Sequence, residues 1–181
     1  MQNTEKYYGA ITITFHWLIA LSIIGLFTLG YWMVDLGYYH PWYTQGPDIH
    51  RSIGIVLLVL MILMFIAQII QTKPKSLESH SQFEKVTGTL THKLLYLLVV
   101  MILLSGYLIS TADGRAIEVF QFLTIPSAAE LLNNQVDIAG FIHQYFSYTL
   151  MLLVAIHTLA ALKHHFIDKD ITLTRMLGYK E

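Results

Sequence analysis

Four long stretches without a charged side chain, residues 13–34, 52–71, 94–112 and 138–162, limit what this chain can become. Each is about the ~20 residues that a helix needs to cross the hydrocarbon of a bilayer. Only 13% of the 181 residues are charged, about half the share of a soluble domain, and the mean hydropathy is +0.54. The expected fold is all-α: an integral membrane four-helix bundle, one domain over residues 1–181, multi-pass and surrounded by lipid. The first run is longer than a signal-peptide core, contains a histidine and lacks a clear cleavage site, so it is expected to be retained.

Basic residues give the orientation. Lys6 precedes the first run, Lys73, Lys75, Lys85 and Lys93 fall between the second and third, and Lys163, Lys169, Arg175 and Lys180 follow the fourth. Only Arg51 and Arg115 belong to the other side. This bias places both termini and the middle loop in the cytoplasm. Zero cysteines exclude disulfides, thiolate-bound iron–sulfur clusters and covalently attached c-type haem. The net charge of −1 says nothing about nucleic acid, and no basic aromatic patch suggests it, so none is expected as a partner.

Histidines carry the chemistry. His143 and His157 lie in the last run, and at about 100° per residue their spacing returns both to one helix face. At 1.5 Å per residue they stand ~21 Å apart along the axis, one in each leaflet. An imidazole in hydrocarbon is costly unless something satisfies it. A single one is ordinarily satisfied by a neighbouring helix; two stacked four turns apart call for partners. His16, roughly a turn inside the first helix, matches the depth of His157, and His50, opening the second helix, matches His143. Two level-matched pairs are what bis-histidine ligation of two stacked b-type haems requires. A transition-metal transporter or haem-handling protein is the rival from another class, since imidazole also binds zinc and copper. Such a path would ordinarily bring carboxylates into the spans, and none of the four contains one.

The other features have weaker readings. Trp17 and the group Tyr31, Trp32, Tyr38, Tyr39, Trp42 and Tyr43 read as interface belts. Gly25 and Gly30 allow close helix approach or room for a flat ligand, and Gly54 lies above the face of His50. Asp48 is the expected N-cap of the second helix. Arg51 reads equally as a partner for an anionic group such as a haem propionate or as a boundary arginine. Residues 73–85 read as a solvated loop with His80 a surface histidine. His92, at the inner edge of the third helix, is a candidate third inner ligand or substrate-site residue. Residues 116–136 are expected to form an external cap of short surface helices. His164 lies two turns past His157 on the same face, while His165 turns away.

On these residues the chain resembles the bacterial di-haem cytochrome b561 family, in the branch that includes superoxide oxidase. The resemblance runs through Phe15-His16-Trp17, His50, His92, the run Gly106 to Arg115, His143 with His157, and most specifically the tail from Leu162 to Met176. It implies two haems b, with His16 and His157 axial to the inner one and His50 and His143 axial to the outer one. It also implies ubiquinone near His92 and His164, electron exchange with the quinone pool, an inner-membrane location, and in this branch a small periplasmic isoprenoid-binding partner. The chain departs from the family in residues 64–68, which are uncharged where relatives carry arginines. An electron-transfer oxidoreductase is therefore expected, with no bond made by the protein itself and His164 as a candidate proton relay. Superoxide oxidation coupled to ubiquinone reduction ranks below electron carriage. The external loops hold six acidic residues (Asp35, Asp48, Asp113, Glu118, Glu130, Asp137) against two basic ones, which disfavours steering an anion.

Overall fold

The computed structural model describes residues 2–179; Met1, Glu181 and Lys180, one of the basic residues used for orientation, lie outside the described residues. Four long helices dominate: α1 Ala10–Met33, α2 Trp42–Ile70, α3 Gln82–Thr111 and α4 Gln135–Phe166. With 24, 29, 30 and 32 residues they span ~36–48 Å, enough to cross the hydrocarbon and continue into both interfaces. All four are long and apolar enough to be membrane spans, and side chains such as Leu21, Ile69, Leu152 and Leu159 face outward as lipid contact requires. The chain is a multi-pass membrane bundle.

α1 pairs mainly with α2 and α3 with α4, so the bundle is two antiparallel helical hairpins set side by side. Leu26, Leu57, Met61, Val99 and Leu150 form a small buried layer that joins them at mid-height. One end of the bundle carries residues 2–9, the 71–81 connection and the short helix α5 Thr172–Leu177; this is the tail end. There Trp17 Nε1 donates to the Met176 carbonyl at 2.8 Å, holding α5 against α1.

The opposite end differs from expectation. Residues 116–136 hold no surface helix but an antiparallel hairpin, β1 Ile117–Val119 with β2 Leu123–Ile125, in register Ile117↔Ile125. Ile and Val alternate inward on β1, a period-2 pattern too short to be recognised against the surrounding apolar residues. Its turn holds Phe120 and Gln121 at φ 47° and 63°, the left-handed backbone that a tight hairpin demands. Buried Ser52 fastens the hairpin to α2, its Oγ accepting from Phe120 N–H at 3.1 Å. Gln135 closes the remaining loop: its Nε2 donates to the Leu108 and Ala129 carbonyls, and its Oε1 accepts from Leu131 N–H.

Two helix starts also differ. α2 begins at Trp42, with Pro41 at the cap and Pro47 inside, rather than at Asp48. Pro47 is the sixth residue of α2, so one intrahelical bond, to the Tyr43 carbonyl, is missing there, and the helix runs on past it. α3 begins at Gln82, well before its apolar run, because Ser81 and Glu84 form a capping box.

Candidate functional site

The hairpin end contains a cavity of ≈ 2230 Å³ between the two helical hairpins, far above the ~300–1,000 Å³ of ordinary small-molecule pockets. His50 from α2 and His143 from α4 face each other across it, ring centres 6.1 Å apart and planes at 64°. Each ring rests on a glycine of the helix beside it. A Cβ on Gly30 would stand 3.1 Å from His50 Cε1, and one on Gly106 would stand 3.0 Å from His143 Cε1. These two glycines are what bring imidazoles of different helices to one level. Gly54 has open space before it and lines the cavity.

The two rings are held differently. His143 Nδ1 donates to the Ile102 carbonyl at 3.0 Å, with Ser105 Oγ at 3.3 Å. That fixes the tautomer and leaves Nε2 as a free lone pair, the arrangement that ligating histidines use. His50 Nδ1 is buried without a hydrogen-bond partner. Imidazoles on opposite sides of one metal, bound at ~2.0–2.1 Å, place their ring centres about 6 Å apart. The observed separation, the open Nε2 of His143 and the size of the cavity therefore fit an axially ligated haem. Arg51 also lines the cavity, its guanidinium paired with Asp48 one turn earlier. At the end of α3, Arg115 Nε donates to Asp113 Oδ2 at 2.6 Å, and this bond holds the Asp113 carboxyl below its ordinary range.

Nearer the tail end, His157 meets two other histidines. His92 is beside it, ring centres 5.3 Å apart, and His16 is within electrostatic reach of His157, as His92 is of both. Three helices thus converge there. His16 makes an edge contact with Trp17.

At the tail itself His80 and His164 come together, ring centres 4.6 Å apart. His80 is not a surface histidine. Its side chain is 16% exposed, and Nε2 is 3.1 Å from Asp170 Oδ2 and 3.2 Å from Thr172 Oγ1. The partner lies 90 positions further along the chain, out of reach of any local pattern. His164 Nδ1 is 2.9 Å from Asp168 Oδ2 and 3.0 Å from Asp170 Oδ2, at angles that make these ion contacts rather than straight hydrogen bonds. Burial would raise the Asp170 carboxyl, but bonds from Thr172 and His80 outweigh it and hold the group below its ordinary value.

A four-helix membrane bundle with imidazoles facing across an internal slit is, as a class, a haem-binding electron-transfer protein of the membrane. The chain belongs to the prokaryotic cytochrome b561 family, whose model matches residues 7–179. It is 44% identical over 176 residues to cytochrome b561 homolog 2 of Escherichia coli K12, covering 97% of this chain and 94% of that protein. Identity to the "Probable superoxide oxidase CybB" of Yersinia pestis is 29% over 181 residues, 97% and 98% of the two chains. Cytochrome b561 homolog 1 of Escherichia coli K12 is 25% identical over 178 residues, 94% and 96% of the two chains. Membership carries membrane electron transfer and a b-type haem.

Proposed function

We propose that this chain carries single electrons across the bacterial inner membrane, both termini cytoplasmic, through two b-type haems. His50 and His143 hold one; His16 and His157 hold the other. Electrons are exchanged with the quinone pool, ubiquinone being the substrate, and with a periplasmic donor or acceptor such as a small isoprenoid-binding protein. The observation that carries this reading is the facing pair His50 and His143, 6.1 Å apart, with His143 locked in the tautomer that offers Nε2.

A bound b-type haem supplies a reversible one-electron iron couple. The chain's own residues do the rest. Ile102 and Ser105 orient His143, and Gly30 and Gly106 set the depth of the two rings. Leu26, Leu57, Met61, Val99 and Leu150 keep the space between the two histidine levels dry. His16, within electrostatic reach of His157, is its partner on this reading, and His92, ring centres 5.3 Å from His157, is the neighbour that lines a quinone site. His164, flanked by Asp168 and Asp170, is the relay to quinone. A His164→Ala variant that keeps its haems and its full quinone reductase rate would remove that role.

A second reading, superoxide oxidation with ubiquinone reduction, is favoured by the name of the Yersinia relative. The six acidic and two basic residues of the external loops stand against it. Reduced-minus-oxidised visible spectra of the purified protein with pyridine haemochrome quantification test the main reading. About two low-spin haems per chain are expected, one per histidine pair. None, or one loosely held, overturns it.

A further inference from the structure

The tail cluster has the geometry of a metal site, and it shares His164 with the proposed quinone relay, which then works through Nε2. We propose that His80, His164 and Asp170 bind one divalent first-row transition cation of the zinc type, with water completing its shell. Two overlapping groups, His80–His164–Asp170 and Glu84–His164–Asp168, each bring their ligand atoms within 4.8 Å of one another and share His164. Around His164 Nδ1 the spacings are 2.9 Å to Asp168 Oδ2 and 3.0 Å to Asp170 Oδ2, and His80 Nε2 is 3.1 Å from the same Asp170 oxygen. Ligand atoms at ~2.0–2.1 Å from a tetrahedral zinc are separated by about 3.3 Å, near the 3.0 and 3.1 Å that separate Asp170 Oδ2 from the two imidazole nitrogens. Two imidazoles with a carboxylate suit zinc and its neighbours, not calcium or magnesium.

Three further observations separate this cluster from an ordinary surface ion-pair network. It borders a cavity of ≈ 270 Å³ lined by Ser79, His80, Glu84, His164, Asp168 and Asp170, room for an ion with a water. His164 Nδ1 is buried and has no straight hydrogen bond, although two carboxylates stand beside it. The ligands have outer partners: Thr172 N–H donates to Asp170 Oδ1 at 2.8 Å, which leaves Oδ2 for both histidines. The backbone is bent to make this possible. Lys169 at φ 57° turns the chain back after α4, and Asp170 N–H then bonds the His164 carbonyl at 3.1 Å. Lys163 bridges Asp168 and Glu84 at 2.8 Å each, so those two carboxylates are already paired and Asp170 is left to the histidines. A bound cation would join the 71–81 connection, the end of α4 and the tail in one knot.

Zinc binding is measured on the holoprotein, purified with a histidine-free tag and stripped with a chelator, by calorimetric titration with Zn²⁺ and elemental quantification of metal beside haem. One zinc per chain is expected. His80→Ala and Asp170→Asn should each weaken binding at least ~10-fold with haem content unchanged, whereas His165→Ala, whose ring packs on Phe166, should leave it intact. Lack of stoichiometric zinc in the unaltered holoprotein overturns the proposal whatever the variants do. Equal affinity in both ligand variants overturns it as well. The haem ratio is read in the same samples, so the di-haem reading and the zinc site fail separately.

Discussion

His143 on α4 donates its Nδ1 proton to the carbonyl of Ile102 on α3, at 3.0 Å. A backbone group cannot swing away, so the ring is aimed by the helix pairing itself, with its centre 6.1 Å from that of His50. On the proposed two-haem reading, replacing His143 or His50 by alanine is expected to remove one haem of the two while α3 and α4 remain paired. His16→Ala should remove the other. His92→Ala should retain both and lower the quinone reductase rate instead. Pyridine haemochrome assays on the four variants check the set, and haem loss from His92→Ala equal to that from His16→Ala would reverse the inner assignment.

Gly106 is the seat of the His143 ring. A methyl group there would stand 3.0 Å from Cε1 and 3.2 Å from Nδ1, and the neighbour is a ring held by a backbone bond. Gly106→Ala is expected to cost about 1–3 kcal/mol through overpacking and to weaken haem retention at the hairpin end. Gly25, with open space where a Cβ would go, tolerates alanine. Comparison of haem retention and melting temperature for the two variants checks the contrast; equal behaviour would show that the ring does not need the glycine.

Much of this arrangement is legible in the amino-acid sequence. The four spans and the common depth of His50 and His143 follow from local properties, uncharged length and helical period. The features that escape a sequence reading are those that depend on which helix lies beside which. Gly30 and Gly106 look like any other membrane glycines until His50 and His143 are laid against them. His80 sits in a polar connection that resembles solvated loop, and only the returning tail with Asp170 buries it. The β1–β2 hairpin escapes because three-residue strands with Phe120 and Gln121 at the turn carry none of the glycine or asparagine signal of a tight hairpin.

Asp113 is paired with Arg115 in the exposed turn after α3, and its carboxyl is held below the ordinary range by that bond. A folded-state value below the unfolded one contributes stability that is present above about pH 4 and lost as pH falls through the depressed value. Between pH 5 and 8 this pair is therefore pH-independent. The melting difference between the native protein and Asp113→Asn should be small and constant over that window and shrink only below pH ~4. A difference that changes between pH 5 and 8 would place another titrating group at this turn.

Trp17 is an interface aromatic with a second task, since its indole N–H is bonded to the Met176 carbonyl at 2.8 Å. Trp17→Phe keeps most of the ring and removes that bond, a change of about 1 kcal/mol felt by α5 alone. Hydrogen exchange in residues 172–177 should quicken several-fold while the four spans stay protected. Uniform quickening across the spans would mean that the tail supports the bundle as a whole.

Ser81 caps α3 through a reciprocal pair of bonds: its Oγ accepts from Glu84 N–H at 3.2 Å, and Glu84 Oε2 accepts from Ser81 N–H at 2.9 Å. Glu84 also receives Lys163 Nζ from α4 at 2.8 Å, so the cap is tied to the neighbouring helix. Ser81→Ala should destabilise by about 1 kcal/mol, the ordinary value of a lost cap. Glu84→Ala should cost more, because it removes both the cap acceptor and one of the two carboxylates that hold Lys163. The double variant should fall short of the sum, since both side chains serve one cap. Thermal melts of the three holoproteins in one detergent decide this, and strict additivity would mean that the two bonds of the cap act independently.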